Sequence, residues 1–218
     1  MFVFLDLDGT LLDQDAAQTE GARRFHREYR ELFTQDEETF LTLWRALTDE
    51  HVAEYLAGRI THDEQRRRRM RDLFATVGRD LNDKEVDAVF SVYLRAFEAA
   101  WRAYADVTAC LDELETRGIP LGIISNGDGE QQRQKLDAIG MNGRFDPVVI
   151  AGDLGIFKPD RRIVEAACHA ASREPGECVY VGDALETDAR AAAAAGMQSV
   201  CLEQLAESIS IATGKGGS

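Results

Sequence analysis

Residues 2–13 read FVFLDLDGTLLD. Met1–Leu5 are all apolar and deliver the chain to Asp6; a leucine follows, then Asp8, Gly9 and Thr10. A short run that is apolar at every position reads as a strand covered on both faces, here Phe2–Leu7. Two carboxylates at i and i+2 repel each other, and burying either one unpaired is costly. The stretch therefore requires partners from elsewhere in the chain.

Similar apolar runs recur at Leu121–Ser125, Val148–Ala151, Val179–Gly182 and Ser199–Leu202. Helix-period patterns lie between them, over about 106–117, 129–140, 160–171 and 186–195. Strand and helix alternating through short loops predict a doubly wound, parallel, Rossmann-like α/β sheet. Gly118 and Gly140 stand where a left-handed residue ends a helix and turns the chain towards the next strand.

The stretch 15–103 breaks this rhythm, with helical periodicity and no strand-like run. Thr34–Glu37, Thr61–Glu64 and Asn82–Glu85 have the spacing of capping boxes. Large apolar residues recur at three- and four-residue steps, among them Phe25, Phe40, Trp44, Tyr55, Leu56, Phe74 and Phe97, and predict a helical core. The expected organisation is an α/β core of residues 1–14 and 104–218, with an all-α insert of residues 15–103 after the first strand. The run Arg66–Arg69 has Asp63, Glu64 and Asp72 within pairing distance along a helix and reads as a solvated face. Residues 212–218 are polar and glycine-rich and read as a loose terminus.

The 218 residues suffice to bury a sizeable core, and 44% hydrophobic with 29% charged residues is ordinary for a globular protein. A net charge of −14 repels nucleic acid and anionic membrane, so neither is an expected partner. Cys110, Cys168, Cys178 and Cys201 form no paired spacing and read as small buried side chains in a reducing compartment. With no signal peptide and no apolar run of membrane-spanning length, a cytoplasmic location is expected. Nothing in the sequence distinguishes a monomer from a homodimer.

Open α/β sheets bind ligands beyond the carboxyl ends of their strands. There stand Asp6 and Asp8, then Ser125-Asn126-Gly127, then Lys158-Pro159, then Gly182-Asp183 with Asp188 five residues on. Four carboxylates at one edge suit a hard divalent cation with oxygen ligands, and Mg2+ fits best. Lysine, hydroxyl and backbone amides beside it suit a phosphate. The spacing excludes an EF-hand, because glycine comes too early and the segment follows a strand. It also lacks the third glycine of a dinucleotide loop and the G-x-S-x-G of a serine hydrolase.

In this order, D-L-D-G-T, S-N-G, K-P and G-D-x-x-x-x-D resemble the haloacid dehalogenase superfamily, and the helical insert resembles its C1-type cap. The resemblance implies that Asp6 is a nucleophile forming an aspartyl-phosphate and that Asp8 is the general acid and base. It implies metal binding by Asp6, the main-chain carbonyl of Asp8 and Asp183, supported by Asp188. Ser125 and the Asn126 amide would hold phosphoryl oxygens, and Lys158 would neutralise charge on the nucleophile and the transferring group. Ala184 and Thr187 depart from residues frequent at those positions in the family and leave the outer metal shell open.

Dehalogenases of the superfamily lack the second carboxylate, so Asp8 points to phosphoester hydrolysis. Trp44 and the stretch 55–66 look similar to bacterial nucleotide and flavin-mononucleotide phosphatases. The expected partner is thus a small phosphorylated metabolite, for which a nucleoside monophosphate is one candidate. Two other readings stay open: a phosphosugar mutase, for which His26 on the first insert segment is the candidate histidine, and a non-catalytic phosphate-binding regulatory protein.

Overall fold

The structure is a computed structural model describing residues 1–202; the terminal stretch 212–218 lies outside the described residues. Strand β1 (Phe2–Leu5) leads into four helices: α1 (Gln14–Glu28), α2 (Glu37–Leu56), α3 (His62–Ala75) and α4 (Asp83–Ala99). There follow α5 (Val107–Thr116), β2 (Leu121–Ser125), α6 (Gly129–Ala138), β3 (Val148–Ile150), α7 (Ala151–Leu154) and α8 (Arg161–Ala170). β4 (Cys178–Gly182), α9 (Arg190–Ala194) and β5 (Gln198–Cys201) complete the described chain. No helix among the described residues is long and apolar enough to cross a membrane.

The five strands form one parallel sheet in the order β3-β2-β1-β4-β5. β1 is central and buried along its whole length, which explains why its residues are apolar on both faces. The connections from β1 run outward one way to β2 and β3, and the other way to β4 and β5. The carboxyl end of β1 is therefore the switch point where such sheets form a crevice. β1 ends two residues earlier than its apolar run predicts. Asp6 N still bonds to Val181 O at 2.9 Å, but the Leu7 carbonyl then accepts from Leu11 N and Leu12 N, both at 2.9 Å, and closes a turn. Asp8 thus stands on this turn and not on a continuing strand.

The chain divides into two compact units, Met1–Asp13 with Arg102 onward, and Gln14–Trp101. Where it leaves and re-enters the first unit, its two arms lie side by side. Asp13 N bonds to Arg102 O at 3.0 Å, Tyr104 N bonds to Leu11 O at 3.1 Å, and Leu12 and Ala103 form an antiparallel bridge.

The second unit is built around an aromatic cluster centred on Phe25, whose ring lies 4.6 Å from that of Tyr29 and 5.2 Å from that of Trp44. Tyr55 and Leu56 are half-buried and lie outside this cluster. Asn82 and Glu85 form a full capping box, and Thr61 caps α3 by accepting from Glu64 N. The expectation at Thr34 fails: Asp36 caps α2, accepting from Thr39 N at 2.9 Å, while Glu37 pairs with Arg23. Aspartate fits the N-cap as well as threonine does, and its position sets where the helix starts.

The arginine run is also not uniformly solvated. Arg68 pairs with Glu64 and Arg67 with Asp87, but Arg69 is 5% exposed. Its guanidinium donates to Thr48 Oγ1 at 3.0 Å and lies 5.2–5.4 Å from the ring centres of Trp44, Phe90 and Tyr93. One helix face in four residues had to be inward, and ring faces can hold a guanidinium there. Cys110 is exposed, contrary to expectation, whereas the other three cysteines are buried.

Within the sheet, Gly122 of β2 lets the Phe4 ring lie flat across the neighbouring strand. A Cβ there would meet Phe4 Cε1 at 2.7 Å and Pro147 O at 3.0 Å. Gly122→Ala is expected to destabilise the chain by about 1–3 kcal/mol through overpacking. Urea unfolding checks this, with a lower midpoint at an unchanged m-value.

Candidate active site

Asp6 follows the last residue of the central strand, so the strand itself fixes its backbone. Its carboxylate is buried, and Lys158 Nζ lies 2.9 Å from Asp6 Oδ1 and 2.7 Å from Asp188 Oδ1. Lys158 also donates to Tyr180 Oη at 2.8 Å, and Tyr180 in turn donates to Ile124 O at 2.7 Å. The loop that carries Lys158 is held by Asn126 in both directions. Lys158 N donates to Asn126 Oδ1 at 2.8 Å, and Asn126 Nδ2 donates to Lys158 O at 3.2 Å. Asn126 thus reaches from the end of β2 and fixes the height of the lysine.

Asp183 follows β4, the neighbour of β1. Gly9 makes the approach possible: with φ +78 and no side chain, it leaves Asp183 Oδ2 where a Cβ would be only 2.1 Å away. Asp188 lies on a π-helical turn, Leu185–Ala189, where a regular helix over 186–195 was expected. Its carboxylate turns inward, accepts from Ala184 N at 3.1 Å and packs against Gly182, where a Cβ would meet Asp188 Oδ2 at 2.3 Å. The wider turn sets Asp188 on the inner side; such turns are frequent at functional sites.

One carboxylate oxygen each from Asp6, Asp183 and Asp188 can be chosen so that all lie within 4.8 Å of one another. Asp8 is not in that group. Its carboxylate is held by Lys135 of α6, with Nζ at 2.7 Å from Oδ1 and 2.8 Å from Oδ2, and by Gln132 Nε2 at 3.0 Å from Oδ2. Gln132 Nε2 also reaches Ser125 Oγ at 2.8 Å and Asn126 O at 3.0 Å. Ser125 is fully buried at the end of β2.

The electrostatics follow from burial. Burial pushes the Asp6 carboxyl up to about 7; the Lys158 charge opposes this and the Asp188 charge adds to it. Asp183 is pushed up to about 6, first by burial and then by Asp188. Burial works against the Lys158 ammonium, but the charges of Asp6 and Asp188 outweigh it and leave its pKa raised. Burial, then Asp6 and Asp188, lifts the Tyr180 phenol well above its usual value, so it stays a neutral donor.

Four carboxylates and two ammonium groups meet here, an excess of two negative charges that one divalent cation would balance. The donor set is hard oxygen, and Asp6 Oδ1 is buried without a hydrogen bond although Lys158 lies close by. These residues fit a magnesium ion. Lys135, Gln132 and Tyr180 were missed by the sequence reading. Gln132, Lys135 and Leu136 share one face of α6 at i, i+3 and i+4, and a lysine on the apolar face was the available signal. His26, by contrast, is committed to structure. Its Nε2 lies 3.1 Å from Phe33 O and from Gln35 O, and its ring stacks on Phe40 at 4.5 Å.

Fold and site place the chain among hydrolases of the haloacid dehalogenase type. It belongs to the family of haloacid dehalogenase-like hydrolases, whose family model matches residues 2–196. It is 32% identical to a glyceraldehyde 3-phosphate phosphatase of Methanopyrus kandleri over 198 residues, which cover 91% of this chain and 82% of that one. It is 37% identical to a phosphoserine phosphatase of Thermus thermophilus over 101 residues, 46% of this chain and 41% of the relative. The magnesium-bound crystal structure of the HAD-hydrolase YfnB from Bacillus subtilis shares the fold, with a TM-score of 0.75 at 19% identity over 91% of this chain and 86% of that one.

The raised carboxyl values set a pH dependence. Protonated Asp6 and Asp183 favour the folded, metal-free chain at low pH, and this contribution is lost as pH rises from about 4 through about 6 and about 7. In EDTA the melting temperature should fall between about pH 5 and about pH 8. A magnesium ion held by this cluster would require it folded and ionised, so its stabilising increment should be larger at the higher pH. Calorimetry at both pH values checks this, and an equal increment would contradict it.

Proposed function

We propose that the chain is a magnesium-dependent phosphatase of small phosphomonoesters, acting through an aspartyl-phosphate on Asp6. The observation that carries this reading is a buried carboxylate, Asp6, paired to Lys158, with a second carboxylate two residues on and held apart from the metal-type cluster. Dehalogenation would need no such second carboxylate.

Asp6 supplies the attacking oxygen. As its bond to phosphorus forms, the bond from phosphorus to the leaving oxygen breaks, and Asp8 gives that oxygen a proton. In the second half Asp8 takes a proton from water, the water oxygen bonds phosphorus, the Asp6–phosphorus bond breaks and inorganic phosphate leaves. Lys158 stabilises negative charge on the transferring oxygens, and Ser125 and the Asn126 amide orient them. Asp6, Asp183, Asp188 and the Asp8 main-chain carbonyl would hold the magnesium ion. When bound, it offsets the repulsion between carboxylates and phosphate and acts as a Lewis acid on the phosphoryl group.

The helical insert, residues 15–103 in the sequence reading, serves on this view as the cap that selects the leaving group. A sugar-phosphate mutase is disfavoured because His26, the histidine such a reading needs, is bound within the insert's own core. Substrates to try first are glyceraldehyde 3-phosphate and phosphoserine, named for the relatives, with a nucleoside monophosphate and flavin mononucleotide beside them.

Phosphate release from such a panel with Mg2+ tests the proposal. Asp6→Asn should lower kcat by roughly a thousand-fold or more, and EDTA should abolish turnover. Turnover undiminished by either would overturn the mechanism. Metal-dependent binding without release from any ester would favour the regulatory reading.

A further inference from the structure

Asp8 must first donate a proton and then accept one, so the orientation of its carboxylate matters as much as its presence. Its side chain is 27% exposed, and water could therefore solvate it; instead three contacts from α6 fix it. A carboxylate has about four acceptor positions, two on each oxygen. Lys135 takes one on each oxygen, and Gln132 takes the second on Oδ2. Oδ1 keeps one open position. Gln132 shares the same amide nitrogen with Ser125 Oγ and Asn126 O. It thereby couples the plane of the Asp8 carboxylate to the phosphate-binding turn. Gly127, at φ +113, leaves the room this requires: a Cβ there would meet Gln132 Cδ at 3.2 Å.

We propose that Lys135 and Gln132 are positioning residues for Asp8, holding its carboxylate so that Oδ1 is the oxygen that exchanges the proton with the leaving group and with water. The assignment rests on the phosphatase reading above. Neither residue touches the phosphoryl group on this view; Lys135 acts through Asp8, and Gln132 acts through Asp8 and through Ser125. A misplacement of about 1 Å in a reacting group can cost on the order of a hundred-fold in rate.

The experiment compares kcat/KM, which reports the first chemical step, on 4-nitrophenyl phosphate and on a simple alkyl phosphate. The nitrophenolate leaves without protonation, whereas the alkoxide needs an acid. Lys135→Met should lower kcat/KM on the alkyl ester by about 10–100-fold and on the aryl ester by less than about 3-fold. In an Asp8→Asn background the same substitution should cost nothing further, because the acid it serves is gone. Gln132→Leu also releases Ser125 and so lowers kcat/KM on both esters, but the loss should be larger on the alkyl ester, and that difference decides the matter if the lysine variant does not fold. Equal losses on both esters, or a lysine effect undiminished beside Asp8→Asn, would overturn the assignment while leaving the phosphatase reading intact. A wild-type chain that releases no phosphate from either ester would overturn both.

Discussion

Mutual repulsion among Asp6, Asp8, Asp183 and Asp188 is the constraint that organises the core unit. Two buried lysines divide that charge between them. Lys158 stands between Asp6 and Asp188, and Lys135 takes Asp8 away from the others. Each ammonium is useful only at the right depth, and neighbouring groups set that depth. Tyr180 and Asn126 do so for Lys158, while Lys135 rides on a helix whose start is capped by Asp128. A buried ion pair contributes little to stability, and breaking one leaves a charge without solvent or partner. The arrangement therefore favours one geometry strongly without making the fold very stable.

Close packing of charged groups needs space as well as compensation, and glycine provides it twice. Gly9 admits Asp183 and Gly182 admits Asp188. The π-helical turn at Leu185–Ala189 is the third device, since it brings Asp188 inward within a segment that otherwise has helical periodicity. These local irregularities are where sequence-level preference gives way to the site, as is expected where function opposes propensity.

The sheet was legible because its inner strands β1 and β2 are buried on both faces and its helices keep their period, whereas edge strand β5 opens on exposed Gln198 and Ser199. The insert was legible from Phe25, Phe40, Trp44, Phe74 and their spacing. Strand ends were read too long at β1 because Leu7 is apolar, although its carbonyl closes a turn. The four acidic residues, Ser125, Asn126 and Lys158 could be found because each follows a strand or opens a loop. Lys135 and Gln132 lie mid-helix, 124 or more residues from Asp8, and only the packing of α6 brings them there. Arg69 was hidden for a related reason: four consecutive arginines look alike in sequence, and only the helix phase decides which one turns inward.

The two arms joined at Leu12 and Ala103 carry a consequence for the ancestry and engineering of the molecule. Asp13 and Arg102 are already one hydrogen bond apart, so the chain makes its excursion through 88 residues and returns to its point of departure. The closure penalty of such an excursion grows only slowly with its length, by about 0.6 kcal/mol for each doubling. The helical unit can thus be exchanged for another, or trimmed to a short hairpin, while the strands that carry the acids keep their neighbours.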